Sequence, residues 1–366
     1  MQLDIVFANF FVTCFNGRLN IILLIKAVII LLKNIPHICA RLILFVIITG
    51  SLYPGISGQD THFSQFYSSA LFLNPAFAGT SQMARFSASY RNQYPALGTT
   101  YATYNAAFDL PVESLQGGLG VNVMNDVQGD GILNRFSVDG IYSYALTVNR
   151  EITVHGGLQA SYVLRSLTVH DLIFPDGLDG NTGIYTGSVE PISDGTAGYP
   201  DFSVGFLGYS RNWYAGLAVH HLTRPNISFS KNFRQPLPRR YTVHGGIYIS
   251  IFEKKLGREV VRLNPNLVVI QQGGQRQVNL GMEAIRNGLY AGIWFRQRRE
   301  LGFNSVMVVA GYEHERFRFG YSYDFNVANP WKSDVGMGAH EITFLYTFKI
   351  KSTGKKENGT IKCPKI

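Results

Sequence analysis

The residues best suited to chemistry are a few histidines, but their spacing forms no known catalytic or metal-binding motif. His340-Glu341 begins like a His-Glu-x-x-His zinc motif, yet position 344 holds Phe344. His220 and His221 are adjacent, and neighbouring residues of a strand point to opposite faces, so we expect that they do not bind one metal together. The chain also lacks a Gly-x-Ser-x-Gly elbow and a Walker loop. We therefore predict no enzymatic activity, no catalytic residue, no metal site and no cofactor.

One segment carries several oxygen-bearing side chains that Ca²⁺ would accept as ligands. These side chains are Asp171, Asp176, Asp179, Asn181 and Asp194. The same residue types are typical of turns, where they bond the nearby backbone. The turn interpretation is favoured, and calcium binding stays the alternative.

Most of the chain alternates between apolar and polar residues with a period of two, which is typical of β-strands. The clearest case is a run of aromatic residues at alternate positions, Phe317, Phe319, Tyr321, Tyr323 and Phe325. Its other face carries Arg316, Arg318, Gly320, Ser322 and Asp324. Such a strand has one face for an apolar environment and one for a polar environment.

About fourteen segments share this pattern and run roughly 9–12 residues, close to the length of a membrane-spanning strand. They are 84–92, 99–109, 115–125, 134–146, 151–165, 199–210, 213–221, 241–252, 259–270, 276–285, 288–297, 303–313, 315–325 and 339–350. Aromatics make up 13% of the chain and charged residues only 16%, against roughly 25% charged residues in a soluble domain. The pattern predicts an all-β fold, a transmembrane antiparallel β-barrel of about 14 strands in an outer membrane. A soluble β protein is the alternative.

The connections between these segments alternate, after the first, between short and mostly longer ones. Outer-membrane barrels have short periplasmic turns and longer outer loops. The alternation therefore predicts that both termini are periplasmic and that the loop 166–198 is outside the cell.

The chain divides into four predicted regions: a leader (1–58), an N-terminal aromatic segment (59–83), the barrel (84–350) and a basic tail (351–366). In the leader, Lys33 and Arg41 precede an apolar run at 42–52 and then small residues, which is typical of a signal peptide. Two membrane helices at 21–32 and 42–52, or a translation start later than Met1, are the alternatives. Cys14 and Cys39 lie in the leader, so the mature chain keeps a single cysteine and forms no internal disulfide.

The net charge of +9 does not indicate nucleic-acid binding, because it is concentrated at the two ends of the chain. Without the leader, 29 basic and 23 acidic residues remain. The last 18 residues hold six lysines and one acid, Glu357. The body is nearly neutral, so no basic groove and no nucleic-acid partner are predicted.

Several motifs, in this order, resemble the PorP/SprF family of the type IX secretion system. The opening reads Gln59-Asp60-Thr61-His62-Phe63-Ser64-Gln65-Phe66 and leads to Leu73-Asn74-Pro75-Ala76. Later matches include Gly117-Gly118-Leu119-Gly120, Pro200-Asp201-Phe202-Ser203, Leu237-Pro238-Arg239-Arg240-Tyr241 and Tyr321-Ser322-Tyr323-Asp324. The resemblance covers about residues 59–350. A serine-rich stretch at 68–70 and the lysine-rich tail depart from the family pattern.

The resemblance implies an outer-membrane protein of type IX secretion or gliding motility, which helps to deliver or anchor secreted surface proteins such as adhesins. It implies four kinds of partner: outer-membrane lipid, the C-terminal domain of a secreted protein or adhesin, periplasmic ring components and peptidoglycan-linking components. An outer-membrane porin or hydrophobic-substrate transporter without a secretion role is the alternative.

The candidate partner-binding residues are Phe63, Phe66, Asn74, Pro75 and Phe77. Pro75 fixes its own backbone and biases Asn74 away from helix, which predicts an extended and then turned entry to the barrel. The aromatic residues pack either inside the barrel mouth as a plug or at the membrane edge. Paired glycines such as Gly117-Gly118 predict bends or close backbone approaches.

Overall fold

The computed structural model describes the protein over residues 60–81, 83–95, 100–169, 194–230, 232–252, 259–298, 303–327 and 338–349. The predicted leader and basic tail, and residues 170–193, lie outside the described residues. Among the described residues, no helix is long and apolar enough to cross a membrane.

Fifteen strands make up almost all of the described structure. They are β1 (Ala84–Gln93), β2 (Tyr101–Val112), β3 (Gly117–Gln128), β4 (Leu133–Thr147), β5 (Thr153–Leu167), β6 (Gly195–Tyr209), β7 (Trp213–His220), β8 (Arg240–Ile247), β9 (Ile249–Phe252), β10 (Glu259–Gln272), β11 (Gln275–Arg286), β12 (Leu289–Arg298), β13 (Phe303–Glu313), β14 (Phe317–Asn326) and β15 (Gly338–Phe348). Strands β8 and β9 form a single span interrupted at Tyr248, because both pair with β10. The spans therefore number fourteen, as the sequence predicts.

Each span pairs antiparallel with its neighbours in the chain, and the last strand pairs with the first. Ala84 lies opposite Phe348 and Gln93 opposite Ala339, which closes the sheet into a barrel. Closure leaves the sheet without a free edge strand. The prediction of a closed antiparallel β-barrel of fourteen strands is confirmed.

The two faces of the strands differ as the alternation predicts. In β14, Phe319, Tyr321 and Phe325 are exposed on the outside, whereas Arg318 and Asp324 are buried on the inside. The aromatic face of β14 therefore points outward, and the interior of the barrel combines buried charged and polar side chains with an apolar cluster that includes Phe77, Leu207 and Trp294.

Connections of two kinds lie at opposite ends of the barrel. The connections 94–100, 129–132, 168–194, 221–239, 273–274, 299–302 and 327–337 lie at one end, here named the long-loop end. The other connections, at the short-turn end, have two to six residues, and the turn at 113–116 contains a short 3₁₀ helix (Glu113–Leu115). Strand β7 is much shorter than β6 and pairs only with Val204–Tyr209 of that strand. The loop 221–239 lies beside the remaining part of β6, where the Leu222 amide donates to the Phe202 carbonyl at 3.0 Å.

Candidate functional site in the barrel lumen

Residues 60–81, here named the lumen segment, fill the interior of the barrel. The segment starts beside residues near the long-loop end, such as Arg240 and Gln272, and leads to Ala84 at the short-turn end. It contains one helical turn, α1 (Ala70–Leu73), and a 3₁₀ turn (Pro75–Phe77). Its side chains are buried almost throughout.

The first residue of the lumen segment, Asp60, is held by three cationic side chains of the barrel wall. His221 Nε2 lies 2.6 Å from its carboxylate, and the guanidinium groups of Arg135 and Arg240 each lie 3.3 Å away. The second ring nitrogen of His221 lies 2.6 Å from Asp201. One histidine therefore joins two carboxylates, and the protonated ring donates to both.

The pKa shifts of Asp60 and His221 both favour the charged forms. Burial opposes ionisation of Asp60, but His221, Arg135 and Arg240 outweigh it and hold the Asp60 pKa well below its usual range. Burial also disfavours the charged His221, but Asp60 and Asp201 outweigh it and raise the His221 pKa. The lumen segment thus begins at a buried ionic anchor.

A second anchor binds the backbone of the segment. Glu341 accepts the backbone amides of Ser64 at 2.7 Å and Gln65 at 2.8 Å. The Ser64 hydroxyl donates to Asp324, at 2.6 Å. Arg91 lies 2.9 Å from Asp324 and 3.2 Å from Glu341, so the two carboxylates are paired with charge inside the barrel. Arg296 adds a contact of 3.0 Å to Asp324.

A third anchor is aromatic. The Arg318 guanidinium lies over the rings of Tyr67 and Tyr290, 4.9 and 4.1 Å from their centres, and 2.5 Å from Glu283. Cation–π contacts of this kind are stronger when they are buried. Burial, followed by the negative charge of Glu283, raises the pKa of the Tyr67 hydroxyl well above its usual value.

The second half of the segment is held by close backbone packing. Asn74 is extended, its side chain accepts the Ala76 amide at 2.9 Å, and the 3₁₀ turn follows. This is the extended and then turned entry that the sequence predicts. A Cβ atom on Gly157 would overlap the backbone of Pro75 and Ala76. The wall approaches the segment here more closely than a side chain allows.

The same close packing occurs at the short-turn end. Gly79 and Gly118 are so close that a Cβ on Gly118 would overlap the Gly79 backbone. The Gly79 amide donates to Asp109 at 2.8 Å, and Arg85 pairs with Asp109 at 2.8 Å. The close approach predicted at Gly117-Gly118 is therefore present.

A cavity of about 40 Å³ lies beside the start of the segment, next to Asp60, Thr61, His62, Arg240 and Gln272, and it has room for a few water molecules. The loop 221–239 also folds inward at the long-loop end. Its Ile227 and Leu237 form a buried cluster with Val163 and Tyr199 of the wall.

Residues 56–346 match the family of type IX secretion system membrane proteins PorP/SprF. The chain belongs to the PorP/SprF family. The motifs of the lumen segment, from the opening Asp60 to Gly79, lie within the matched region. A PorP/SprF protein with this closed barrel is an outer-membrane protein, as the sequence predicts.

No curated protein sequence matches the chain. Among solved structures, the chain is similar to the toluene transporter TbuX of Ralstonia pickettii, with 12% identity, coverage of 77% of this chain and 94% of that chain, and a TM-score of 0.47. It is also similar to a FadL homologue of Pseudomonas aeruginosa, with 12% identity, coverage of 77% and 94%, and a TM-score of 0.41. The Acinetobacter baumannii outer membrane protein Omp33 has 7% identity, coverage of 74% and 100%, and a TM-score of 0.41.

The structure of this PorP/SprF protein brings the predicted partner-binding residues together inside the lumen. Phe63, Phe66, Asn74, Pro75 and Phe77 are all buried. Their role in partner binding stays a prediction, and in this arrangement none of the five is offered to a partner.

One sequence interpretation is wrong. We expected His220 and His221 to point to opposite faces of a strand, but both are buried and their rings are 6.4 Å apart. Strand β7 ends at His220, and His221 has a φ of 59°, so the backbone turns and both rings reach the interior. His220 lies 3.3 Å from the Leu73 carbonyl of the lumen segment.

Within the described residues, no group of three or more His, Cys, Asp or Glu side chains is arranged to hold a metal ion. Of the five possible calcium ligands, four lie outside the described residues. The fifth, Asp194, accepts the amide of Val169, 25 positions earlier in the chain, at 2.8 Å.

Proposed function

We propose that this PorP/SprF barrel works in the type IX secretion or gliding machinery as a membrane-embedded adaptor that helps to deliver or anchor secreted surface proteins such as adhesins. The observation that carries this proposal is the filled lumen, taken together with family membership. We propose no catalytic role.

The filled lumen supports an adaptor rather than a conduit. A folded or extended polypeptide needs a passage many times larger than the cavity of about 40 Å³ beside the lumen segment. Opening such a passage requires breaking three sets of buried contacts, those of Asp60, of Glu341 and of Arg318. Removing one partner of a buried ion pair costs about 3–5 kcal/mol, so spontaneous opening is rare.

The proposed orientation places the long-loop end outside the cell and the end of β15 in the periplasm. The start of the lumen segment at Asp60 lies inside the barrel near the long-loop end, so the predicted periplasmic N-terminus is not part of this proposal. The orientation follows from loop lengths, since outer-membrane barrels have longer outer loops. An impermeant thiol reagent applied to intact cells should label a cysteine at exposed Asn232 in the loop 221–239, and not one at His314 in a short turn. The reverse labelling would invert the orientation.

The proposed partners are outer-membrane lipid around the apolar exterior, the C-terminal domain of a secreted protein, and periplasmic ring or peptidoglycan-linking components. Partner binding by Phe63, Phe66, Asn74, Pro75 and Phe77 is proposed only for a segment that has left the lumen. In the closed arrangement, the partner surfaces are the two ends of the barrel. The basic tail 351–366 is proposed to contact periplasmic partners.

We also propose that the mature chain starts near Gln59. Asp60 is buried near the long-loop end of a filled lumen. The apolar run at 42–52, followed by small residues, supports cleavage of the predicted signal peptide before Gln59. N-terminal sequencing of the membrane form tests this proposal.

Affinity purification from native membranes of a type IX-secreting bacterium tests the adaptor proposal. A tagged barrel should recover a secreted surface protein and periplasmic ring components, and a deletion strain should lose that protein from its surface. The matched control is an unrelated tagged outer-membrane barrel of similar abundance. Normal surface display in the deletion strain, with no secreted protein recovered, contradicts the proposal.

Conductance measurements separate the adaptor from the porin alternative. The purified barrel in a planar bilayer should show no steady open pore, because the lumen segment occupies the interior. A persistent conductance of porin size in the wild-type protein would favour the alternative.

A further inference from the structure

The contacts of Asp60 have the composition of an anion-binding site. Its carboxylate meets the guanidinium groups of Arg135 and Arg240 on the strands and the imidazole of His221 at the start of the loop 221–239, and its side chain is only 7% exposed. Arginine is well suited to carboxylates because its planar fork donates several hydrogen bonds. The occupant, in contrast, is supplied by a short segment that is joined to the wall only at Ala84.

The site has donors that Asp60 does not use. The Nε atoms of Arg135 and Arg240 are buried and have no acceptor among the residues that the structure describes, and the Oδ1 atom of Asp201 has no donor there. Buried polar atoms without partners are costly. The cavity of about 40 Å³ adjoins this site on the side of Arg240 and Gln272. The wall can therefore hold a carboxylate and neighbouring polar atoms in a pose other than that of Asp60.

The wall binds the main chain of the segment as well as the side chains of Ser64 and Gln65. Gln272 accepts the Asp60 amide at 3.0 Å, and Glu341 accepts the next two bound amides, those of Ser64 and Gln65. Any extended peptide can present amides in this way. A carboxylate followed by main-chain amides is thus the chemistry that this part of the lumen recognises.

The two halves of the lumen segment differ in how they are held. Residues 60–65 are bound by side-chain ion pairs and hydrogen bonds, which a second peptide can reproduce. Residues 74–79 are bound by backbone packing against Gly157 and Gly118, which leaves no room for exchange. The first half is the exchangeable part.

We propose that Arg135, Arg240 and His221 form a receptor for a peptide carboxylate, which Asp60 occupies from within the same chain and which a carboxylate-bearing peptide from a partner takes over. The receptor goes beyond the adaptor function and does not depend on it, since it is a property of the purified barrel. Exchange frees residues 60–65 while residues 74–79 stay docked.

The test compares two probe peptides on the purified full-length mature barrel. One is Asp-Thr-His-Phe-Ser-Gln-Phe and the other begins with Asn instead, both acetylated and amidated so that only the first side chain differs in charge. The segment of the same chain has an effective concentration in the millimolar range, so the wild-type protein should bind both probes weakly. Asp60→Asn removes the competing carboxylate and keeps the shape of the residue.

Asp60→Asn should bind the Asp peptide at least about tenfold more tightly than the Asn peptide, which is the factor expected for hydrogen bonds to a charged group. Adding Arg135→Gln should abolish this preference, with heat-modifiable migration showing that the barrel stays closed. A third peptide, the Asn peptide with a free C-terminal acid, shows whether a chain terminus serves as well as a side chain. Equal affinity of the Asp and Asn peptides for Asp60→Asn, including no measurable binding of either, overturns the receptor.

Discussion

The carboxylate of Glu341 accepts the backbone amide of Ser64 at 2.7 Å, although 277 positions separate the two residues in the chain. The Glu341 side chain is fully buried and lies 3.2 Å from Arg91. A charged residue of a barrel wall thus binds backbone rather than water. The polar interior, which in a porin would line a water-filled channel, here serves as the docking surface of the lumen segment.

Glu341→Gln should loosen the first half of the lumen segment. The amide keeps the shape, but it loses the charge that pairs with Arg91 and turns its NH₂ group toward one of the two backbone amides that Glu341 accepts. We expect the free energy of docking of the segment to weaken by about 3 kcal/mol, which is the lower end of the range for a broken buried ion pair. The rate of thiol labelling at Thr61→Cys, in a Cys363→Ser background, measures that docking.

The control for this variant is Glu315→Gln, because Glu315 is exposed in a short turn. Its labelling rate should equal that of the parent. Equal rates for Glu341→Gln and Glu315→Gln would show that the Glu341 contacts do not hold the segment.

Gly157→Ala should destabilise the second half of the lumen segment. The added Cβ would overlap the backbone of Pro75 and Ala76, which cannot move aside as a flexible side chain would. Overpacking of this kind costs about 1–3 kcal/mol. Gly140→Ala is the matched control, since its nearest neighbour, the Ala160 carbonyl oxygen, lies 3.9 Å from the added atom. The temperature at which the barrel unfolds, measured by heat-modifiable migration, should fall for Gly157→Ala and stay unchanged for Gly140→Ala. Equal shifts for the two variants would refute the close packing.

The spans of the barrel could be predicted from the sequence because their alternation is long and regular. The run from Phe317 to Phe325 predicts both the strand and its apolar outer face, and the structure has both. The break at Tyr248 within the span of β8 and β9 could not be predicted, because the residues on both sides keep strand-like composition.

The contents of the lumen could not be read from the alternation. A period of two indicates that the two faces of a strand differ, but it does not indicate whether the polar face contacts water or protein. The contacts of Asp60 and Ser64 join residues far apart in the chain, and no local pattern encodes such pairs. The one available signal was the motif at 59–66, whose polar residues Asp60, Ser64 and Gln65 proved to be anchors. The aromatic residues Phe63, Phe66 and Phe77, rather than these polar residues, were predicted to bind partners.

His221 was missed for a local reason. The strand pattern around His220 continues past the true end of β7, and a positive φ at a residue other than glycine is not visible in the sequence. The turn brings His221 into the lumen, where it contacts Asp60 and Asp201.

Docking of the first residues of the segment should depend on pH through His221. Only the protonated ring donates to both Asp60 and Asp201, each at 2.6 Å. Its pKa is raised above the usual 6.5, so this stabilisation is fully present below pH 6.5 and is lost as pH rises through the raised value. The Asp60 pKa lies well below the usual 3.8. The stabilisation from the ionised Asp60 carboxylate is therefore present above pH 3.8 and is lost only as pH falls through the lowered pKa.

Docking is therefore strongest between about pH 4 and 6.5 and weakens as pH rises through the raised His221 pKa. Hydrogen exchange at residues 60–65 measures this docking. It is preferred to thiol labelling because the ionisation of a thiol itself depends on pH. Protection should fall as pH rises after correction for intrinsic exchange, and His221→Gln should flatten this dependence. The other charged or titratable groups around the cluster are Arg135, Arg240, Asp139, Arg165, Tyr199 and His220. A pH profile unchanged by His221→Gln would assign the effect to one of these groups.

A disulfide between the lumen segment and the wall decides whether the whole segment leaves during secretion. The hydroxyls of Ser69 and Ser89 are 3.0 Å apart and both side chains are buried. Cysteines at these two positions, in a Cys363→Ser background, are therefore close enough to form a bond in the oxidising periplasm. The bond ties residue 69 to β1 and leaves residues 60–65 free to exchange.

If the barrel is an adaptor, the locked protein should deliver its secreted partner as well as the parent does, because nothing has to pass through the lumen. Ser69→Cys alone and Ser89→Cys alone are the controls for the substitutions themselves, and non-reducing electrophoresis after proteolysis verifies the bond. Loss of surface delivery in the double variant, restored by a reductant and absent from both single variants, would show that the segment must leave the lumen. That result would replace the adaptor with a gated conduit, since only a conduit needs the interior to be empty.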